Sequence, residues 1–296
     1  MAAAVGVPVV GRWLGFAPPE PPPPGRMVPI GRNLELNVFD QGSGPAVVLV
    51  HGLPGSAYDW GALPLRLAAT GFRVIRFDRP GYGHSSRRPE GAHHSMVDNA
   101  RDLLALLDAL ELERTVLVGW SYGGGIAQLT ALTAPHRVAA LVLVATVGPA
   151  WAGPSESPGA AVAGNRLLQR WILHSGLARI LAAREAATAF APHAVPPGWM
   201  ERTLALLALP GALRTWWSEG HDYNAEDLEP SFPLPPLLAL HGTGDRLVPY
   251  SVAEDLADRI GGARMVPISG GGHMLPVTHA DRIADEVQTF VGQPSR

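Results

Sequence analysis

Short runs of consecutive apolar residues recur along the chain: Ala46–Val50, Val74–Phe77, Val116–Val118, Val138–Val144 and Leu237–Leu240, with Arg264–Ile268 as a weaker last one. Each is short for a helix and suits a strand covered on both faces, the pattern of a parallel sheet. An earlier segment, Leu34–Phe39, alternates apolar and polar residues as a half-exposed strand does, and the turn-forming cluster Asp40–Pro45 follows it. Between the runs, apolar residues recur at helical spacing. Ser95 with Asp98 resembles a capping box ahead of Ala100, Leu103, Leu104 and Leu107. Ser251 with Glu254 and Thr278 with Asp281 repeat that signature ahead of Leu256/Ile260 and Ile283/Val287/Phe290. Gly-rich residues 119–123 open another helical pattern, Ile126–Leu132. Strand–helix alternation of this length predicts an α/β fold with a mostly parallel, doubly wound sheet.

Two segments fall outside the alternation. Residues 147–232 contain no convincing strand, and their helical stretches, Leu167–Ile180 and Met200–Leu209, are interrupted by six prolines from Pro154 to Pro210. Five of the eight tryptophans lie there, so the segment reads as a helical cap with apolar surfaces of its own, inserted between two sheet strands. At the other end, six of the seven residues from Pro18 to Pro24 are proline, which favours an extended linker over helix or central strand. The expected organisation is a flexible Pro-rich arm over residues 1–26, a core over 27–146 and 233–296, and a cap over 147–232.

Charge and composition narrow the function classes. With 23 basic against 26 acidic residues, a net charge of −3, the chain carries no basic footprint for nucleic acid. The absence of cysteine excludes disulfides, thiolate metal sites and a cysteine nucleophile. The apolar run Ala2–Gly11 stops at Arg12, short of the roughly 20 residues a membrane span needs. The expectation is a cytoplasmic protein without stable membrane insertion, monomer or homodimer, with membrane association or export through the N-terminal residues left open.

Candidate chemistry lies at the ends of the predicted strands. Gly119-Trp120-Ser121-Tyr122-Gly123 joins the run Val116–Val118 to the helical pattern after it. A serine on so tight a strand-to-helix turn has its hydroxyl exposed at a helix N-terminus, and flanking glycines let neighbouring backbone approach. His51-Gly52-Leu53-Pro54-Gly55 follows Ala46–Val50, where the backbone N–H of Leu53 can join that of Tyr122 as a two-donor oxyanion hole. His51 itself reads as a residue that shapes the loop. Asp245 follows Leu237–Leu240, and His273 follows Arg264–Ile268 within Gly270-Gly-Gly-His273-Met-Leu-Pro276. Serine, acid and histidine thus come in the chain order of a strand-end serine triad. His279 is a nearby competitor but sits at a predicted helix start.

These motifs, together with Asp78-Arg-Pro-Gly-Tyr-Gly-His-Ser85, resemble the α/β-hydrolase superfamily, in its serine-nucleophile branch with a helical cap, over about residues 27–293. The resemblance implies Ser121 as nucleophile, His273 as general base, Asp245 as the residue that orients it, and Leu53 and Tyr122 as oxyanion donors. It implies no metal and no cofactor, and leaves 78–85 as a loop-shaping marker. Ser121 stands where relatives that open epoxides or dehalogenate carry aspartate. Relatives that cleave carbon–carbon bonds usually have Asn before the serine and Trp after the histidine; this chain has Trp120 and Met274, its candidate substrate contacts. The expected activity is hydrolysis of a small-molecule carboxylic ester. Lactone or carbon–carbon bond hydrolysis on the same triad, cofactor-free perhydrolase or haloperoxidase chemistry, and a ligand receptor without turnover are the alternatives.

Overall fold

The computed structural model describes residues 20–89, 91–151, 176–228 and 234–292. Their strands form one sheet: β1 (Arg26–Pro29), β2 (Glu35–Gln41), β3 (Ala46–Val50), β4 (Arg73–Phe77), β5 (Thr115–Trp120), β6 (Val138–Val144), β7 (Leu237–Gly242) and β8 (Arg264–Ile268). The spatial order is β1-β2-β4-β3-β5-β6-β7-β8. β1 and β2 pair antiparallel with their neighbours, and every pairing from β4 to β8 is parallel. From β3 the chain winds first to β4 on one side and then to β5 on the other. The carboxyl ends of β3 and β5 therefore flank the switch point of the sheet, where α/β folds collect their sites.

Burial explains the continuous apolar runs. Val47 and Leu49 of β3 belong to one core with Leu63, Leu67, Ile283 and Val287; Val48 and Val50 belong to another with Leu103, Leu107, Ile126 and Leu256. Each face has its own helices, so neither side of a central strand can be polar. The first core is covered by α1 (Leu63–Ala69) and the C-terminal helix α9 (Ala280–Val291), the second by α2 (Met96–Ala109), α3 (Tyr122–Thr133) and α7 (Tyr250–Ile260). Among the described residues no helix is long and apolar enough to cross a membrane.

Between β6 and β7 lie α4 (Gly176–Phe190), α5 (Trp199–Leu207) and α6 (Ala212–His221). The described residues of this stretch contain no strand, and much of the predicted Leu167–Ile180 helix lies outside them. A last short helix, α8 (Leu275–Thr278), precedes α9.

Several local expectations need correction. β1 gives almost no apolar signal because Val28 alone of its residues is buried, and the boundary drawn at residue 26 cuts into it. Residues before it are held by the core: His84 Nε2 meets the Pro22 carbonyl at 2.7 Å and the Tyr58 hydroxyl donates to that of Pro23. Residues 1–19 lie outside the described chain. Of the three capping signatures only the first holds, where Ser95 Oγ accepts the Asp98 N–H at 3.2 Å. Ser251 lies inside α7, which begins one residue earlier after Pro249. Thr278 ends α8 instead of capping α9, and its hydroxyl donates to the Met274 carbonyl at 3.0 Å.

Candidate active site

Ser121 sits between β5 and α3 with φ 55° and ψ −125°, a backbone conformation that L side chains rarely adopt. Two flanking glycines make the turn possible. A Cβ on Gly123 would lie 2.0 Å from the Val50 carbonyl oxygen, and one on Gly119 would lie 2.5 Å from that of Gly123. The Ser121 N–H donates to the Val144 carbonyl at 3.0 Å, so the strained residue is pinned to β6 as well as to its own helix.

The structure brings the three predicted side chains together across 152 residues of chain. His273 Nε2 lies 2.9 Å from Ser121 Oγ, and His273 Nδ1 lies 2.8 Å from Asp245 Oδ2. Asp245 Oδ1 accepts the Leu247 and Val248 N–H groups at 2.9 and 3.0 Å, which fixes the carboxylate in its turn. Burial alone would raise the Asp245 carboxyl, but the His273 imidazole and hydrogen bonds from His241 and His273 outweigh it and hold the group far below the usual carboxylate range. An ionised Asp245 keeps the proton of His273 on Nδ1 and leaves Nε2 free to accept from the serine. His279 takes no part: its Nδ1 meets Thr278 Oγ1 at 2.9 Å and its ring packs edge-on against His193.

Other positions expected to matter lie around this chain. Trp120 donates its indole N–H to the His273 carbonyl at 3.0 Å, and its ring lies 5.7 Å from the imidazole. Trp120 and Met274 are both buried in the core shared with Trp60, so they offer a ligand little area. Tyr122 opens α3 directly after the serine, and Leu53 packs against the other core. Gly52 brings the Leu53 loop against the serine: a Cβ there would lie 3.0 Å from that of Ser121. His51 shapes this loop. Its Nε2 accepts the Arg79 N–H at 2.9 Å and its Nδ1–H donates to the Gly52 carbonyl at 3.0 Å. Burial, and then the Arg79 charge, push the imidazole well below the ordinary histidine range, so it is neutral. Asp78 holds the marker loop by accepting from Ala57 N–H at 2.7 Å and His84 N–H at 3.0 Å.

Three features gave no sequence signal. His241, on β7, sends Nε2 to within 2.9 Å of the Val248 carbonyl and 3.4 Å of Asp245 Oδ2. The Ala189 carbonyl at the end of α4 accepts both the His273 and Met274 N–H groups, at 3.1 and 3.2 Å. Arg79, read only as part of a loop marker, is fully buried against Glu219 of α6. All three depend on contacts between segments remote in sequence or on carbonyls that any residue supplies.

Comparison with known proteins agrees with this architecture. Residues 45–280 match the family model described as alpha/beta hydrolase fold. The chain is 31% identical to a 2-hydroxymuconate semialdehyde hydrolase of Pseudomonas putida, over 94% of this chain and 97% of that protein. It is 30% identical to a non-heme chloroperoxidase of Streptomyces lividans, over 86% of this chain and 96% of that protein. Among solved structures, a thermophilic esterase from Thermogutta terrifontis is similar with a TM-score of 0.71 and 27% identity, covering 92% of this chain and 98% of that one. A mostly parallel sheet with its serine turn at the switch point, and a family match across most of the chain's length, place the chain in the alpha/beta hydrolase fold family.

Proposed function

We propose that this protein is a serine hydrolase that cleaves carboxylic esters of small to medium apolar substrates through an acyl-enzyme. The observation that carries the reading is the continuous hydrogen-bonded chain from Ser121 through His273 to Asp245. Serine is a weak nucleophile at neutral pH; His273 takes its proton as Oγ attacks the ester carbonyl. Asp245 holds the imidazole in the required tautomer and stabilises the imidazolium that forms. Negative charge then develops on the former carbonyl oxygen, where the backbone N–H groups of Leu53 and Tyr122 act as donors. The alcohol leaves with the proton from His273, and water activated by the same residue releases the acid. Trp120 and Met274 form the wall behind the imidazole, and residues 147–232 act as a cap that limits which acyl groups reach Ser121. This chemistry requires neither metal nor organic cofactor.

Hydrolysis of a carbon–carbon bond on the same residues is the second reading. The 31% identity to the 2-hydroxymuconate semialdehyde hydrolase favours it. Trp120 and Met274, at positions where the carbon–carbon hydrolases usually carry Asn and Trp, argue for the ester.

A panel of p-nitrophenyl esters of rising acyl length, with a lactone and a ring-fission diketone alongside, separates the readings. Ester turnover is expected to dominate, and Ser121→Ala to lower it by about 10⁴- to 10⁶-fold. A fluorophosphonate should label the wild type at Ser121. Turnover that persists in Ser121→Ala would exclude this nucleophile; turnover of the diketone alone would favour the second reading.

A further inference from the structure

Arg79 is 1% exposed and Glu219 is fully buried, and they meet as an ion pair across 140 residues of chain. One comes from the loop after β4, the other from α6 of the inserted segment. Burying two charges carries a desolvation cost that only good geometry and full hydrogen bonding can offset. Here every donor of the guanidinium is used. Nη1 and Nη2 both reach the Glu219 carboxylate, Nη1 also meets Asn99 Oδ1 at 3.3 Å, Nε donates to the His51 carbonyl at 3.1 Å and Nη2 to the Gly52 carbonyl at 2.9 Å. The carboxylate accepts two further bonds, from the Tyr82 hydroxyl and Asn99 Nδ2, each at 2.8 Å.

The Gly52 carbonyl is the point of interest. It accepts from both Arg79 Nη2 and His51 Nδ1. That carbonyl and the Leu53 N–H belong to one planar peptide unit, and the Gly52–Leu53 bond is not among the cis bonds. In a trans unit the N–H points opposite to the C=O. Two donors gripping the oxygen on one side therefore fix where the N–H points on the other. The ion pair is not the sole contact that docks α6. The Pro210 carbonyl just before it accepts Arg87 Nε at 2.7 Å, Arg214 donates to the Arg88 carbonyl at 3.2 Å, and Asp222 accepts the His94 N–H at 3.1 Å.

We propose that Glu219 is a positioning residue for the second oxyanion donor: through Arg79 it locks the Gly52 carbonyl and so aims the Leu53 N–H. The inserted helical segment thereby completes the oxyanion hole when it docks, and does more than cover the serine. This rests on the serine-hydrolase reading above and deepens it.

The double variant Arg79→Met/Glu219→Leu replaces the pair with apolar side chains and leaves no uncompensated buried charge. Its kcat and KM for p-nitrophenyl acetate, its inhibition by phenylboronic acid (which forms a tetrahedral adduct) and its melting temperature are compared with wild type. We expect a lowered melting temperature, because the His51 carbonyl, Asn99 and the Tyr82 hydroxyl lose buried partners. Per folded molecule, we expect an unchanged KM and a kcat lower by about 10- to 100-fold, part of the loss seen when an oxyanion donor is removed outright. Phenylboronic acid should bind more weakly by the factor lost in kcat/KM. Should the double variant fail to fold, the isosteric Glu219→Gln is read for the same split, with Glu219→Asp expected to recover part of it. A folded variant with wild-type kcat, or one whose loss only tracks its folded fraction, would reduce the pair to a structural clamp and overturn the proposal. A wild type that neither turns over esters nor reacts with fluorophosphonate would remove the underlying hydrolase reading, and the proposal with it.

Discussion

At the scale of single residues, the site sets buried groups in opposite states. Asp245 is kept ionised by its two histidine neighbours despite its burial, whereas His51 is kept neutral by burial and by Arg79. Both cost stability as pH falls, in separate windows. Above about pH 6.5 a histidine is neutral in both folded and unfolded chains, so His51 contributes nothing to a pH slope there. Below it, the unfolded chain binds a proton that the folded chain refuses, and stability falls with pH until the lower folded value is reached. The slope is at most about 1.4 kcal/mol per pH unit for each such group. His94, lowered chiefly by burial, adds in the same direction. Asp245 acts in the same direction at lower pH: its contribution is complete above the ordinary aspartate value of about 3.9 and is lost progressively as pH falls from there to its depressed folded value. The melting temperature is therefore expected to decline steadily from pH 6.5 to 4.5, and His51→Asn, referenced to its own value at pH 8, to decline less. A melting temperature flat across that interval would contradict a neutral buried His51.

At the scale of elements, the serine turn depends on close backbone approach. In Gly123→Ala the new methyl would meet the carbonyl oxygens of Val50 and His51 at 2.0 and 2.4 Å, both backbone atoms that cannot yield without moving β3. A loss of about 3 kcal/mol or more is expected, at the severe end for point substitutions. Gly148→Ala is the control, because the nearest atom to its Cβ is a Val252 side-chain carbon at 3.5 Å, an ordinary contact. Urea denaturation of both variants checks the contrast; equal stabilities would show that the turn relaxes more easily than the packing implies. The capping signatures teach a related lesson. Ser95 caps α2, but Ser251 and Thr278 do not cap their helices, because Pro249 and the short helix α8 fix where those helices begin.

At the scale of the whole molecule, the stretch between β6 and β7 reaches the site from two sides. The end of α4 grips the histidine loop through the Ala189 carbonyl, and α6 grips Arg79. Trp199 packs edge-on against Phe190 at the end of α4, with ring centroids 5.2 Å apart. Trp199→Ala should destabilise the protein by about 1–3 kcal/mol and lower ester turnover by loosening the His273 loop. Trp216 and Trp217 are exposed, 38% and 36%, so their alanine variants should move stability by less than about 0.5 kcal/mol. If the cap governs access, at least one of these three variants changes the ratio of butyrate to octanoate ester hydrolysis without a matching loss of melting temperature. If none does, the selectivity lies in the loops at the strand ends. Trp171, which the sequence groups with them, lies outside the described residues.

The strands β2 to β8, the serine turn and the order of serine, acid and histidine could be read from the amino-acid order alone. Those features are local: burial on both faces of β3, β5, β6 and β7 writes an uninterrupted apolar run, and a strained turn between strand and helix demands glycine at fixed offsets. The sequence also anticipated that His51 shapes its loop, since a histidine between a strand and a glycine turn has backbone partners close at hand. It did not determine β1, whose single buried residue writes no pattern, nor the clamp of the Ala189 carbonyl on the histidine loop, since every residue carries a carbonyl. Nor did it mark Glu219, one acid among the 26 acidic residues of the chain. Whether a carboxylate is solvated or locked onto a guanidinium depends on which helix face lands on which loop, and that is set only when remote segments pack together.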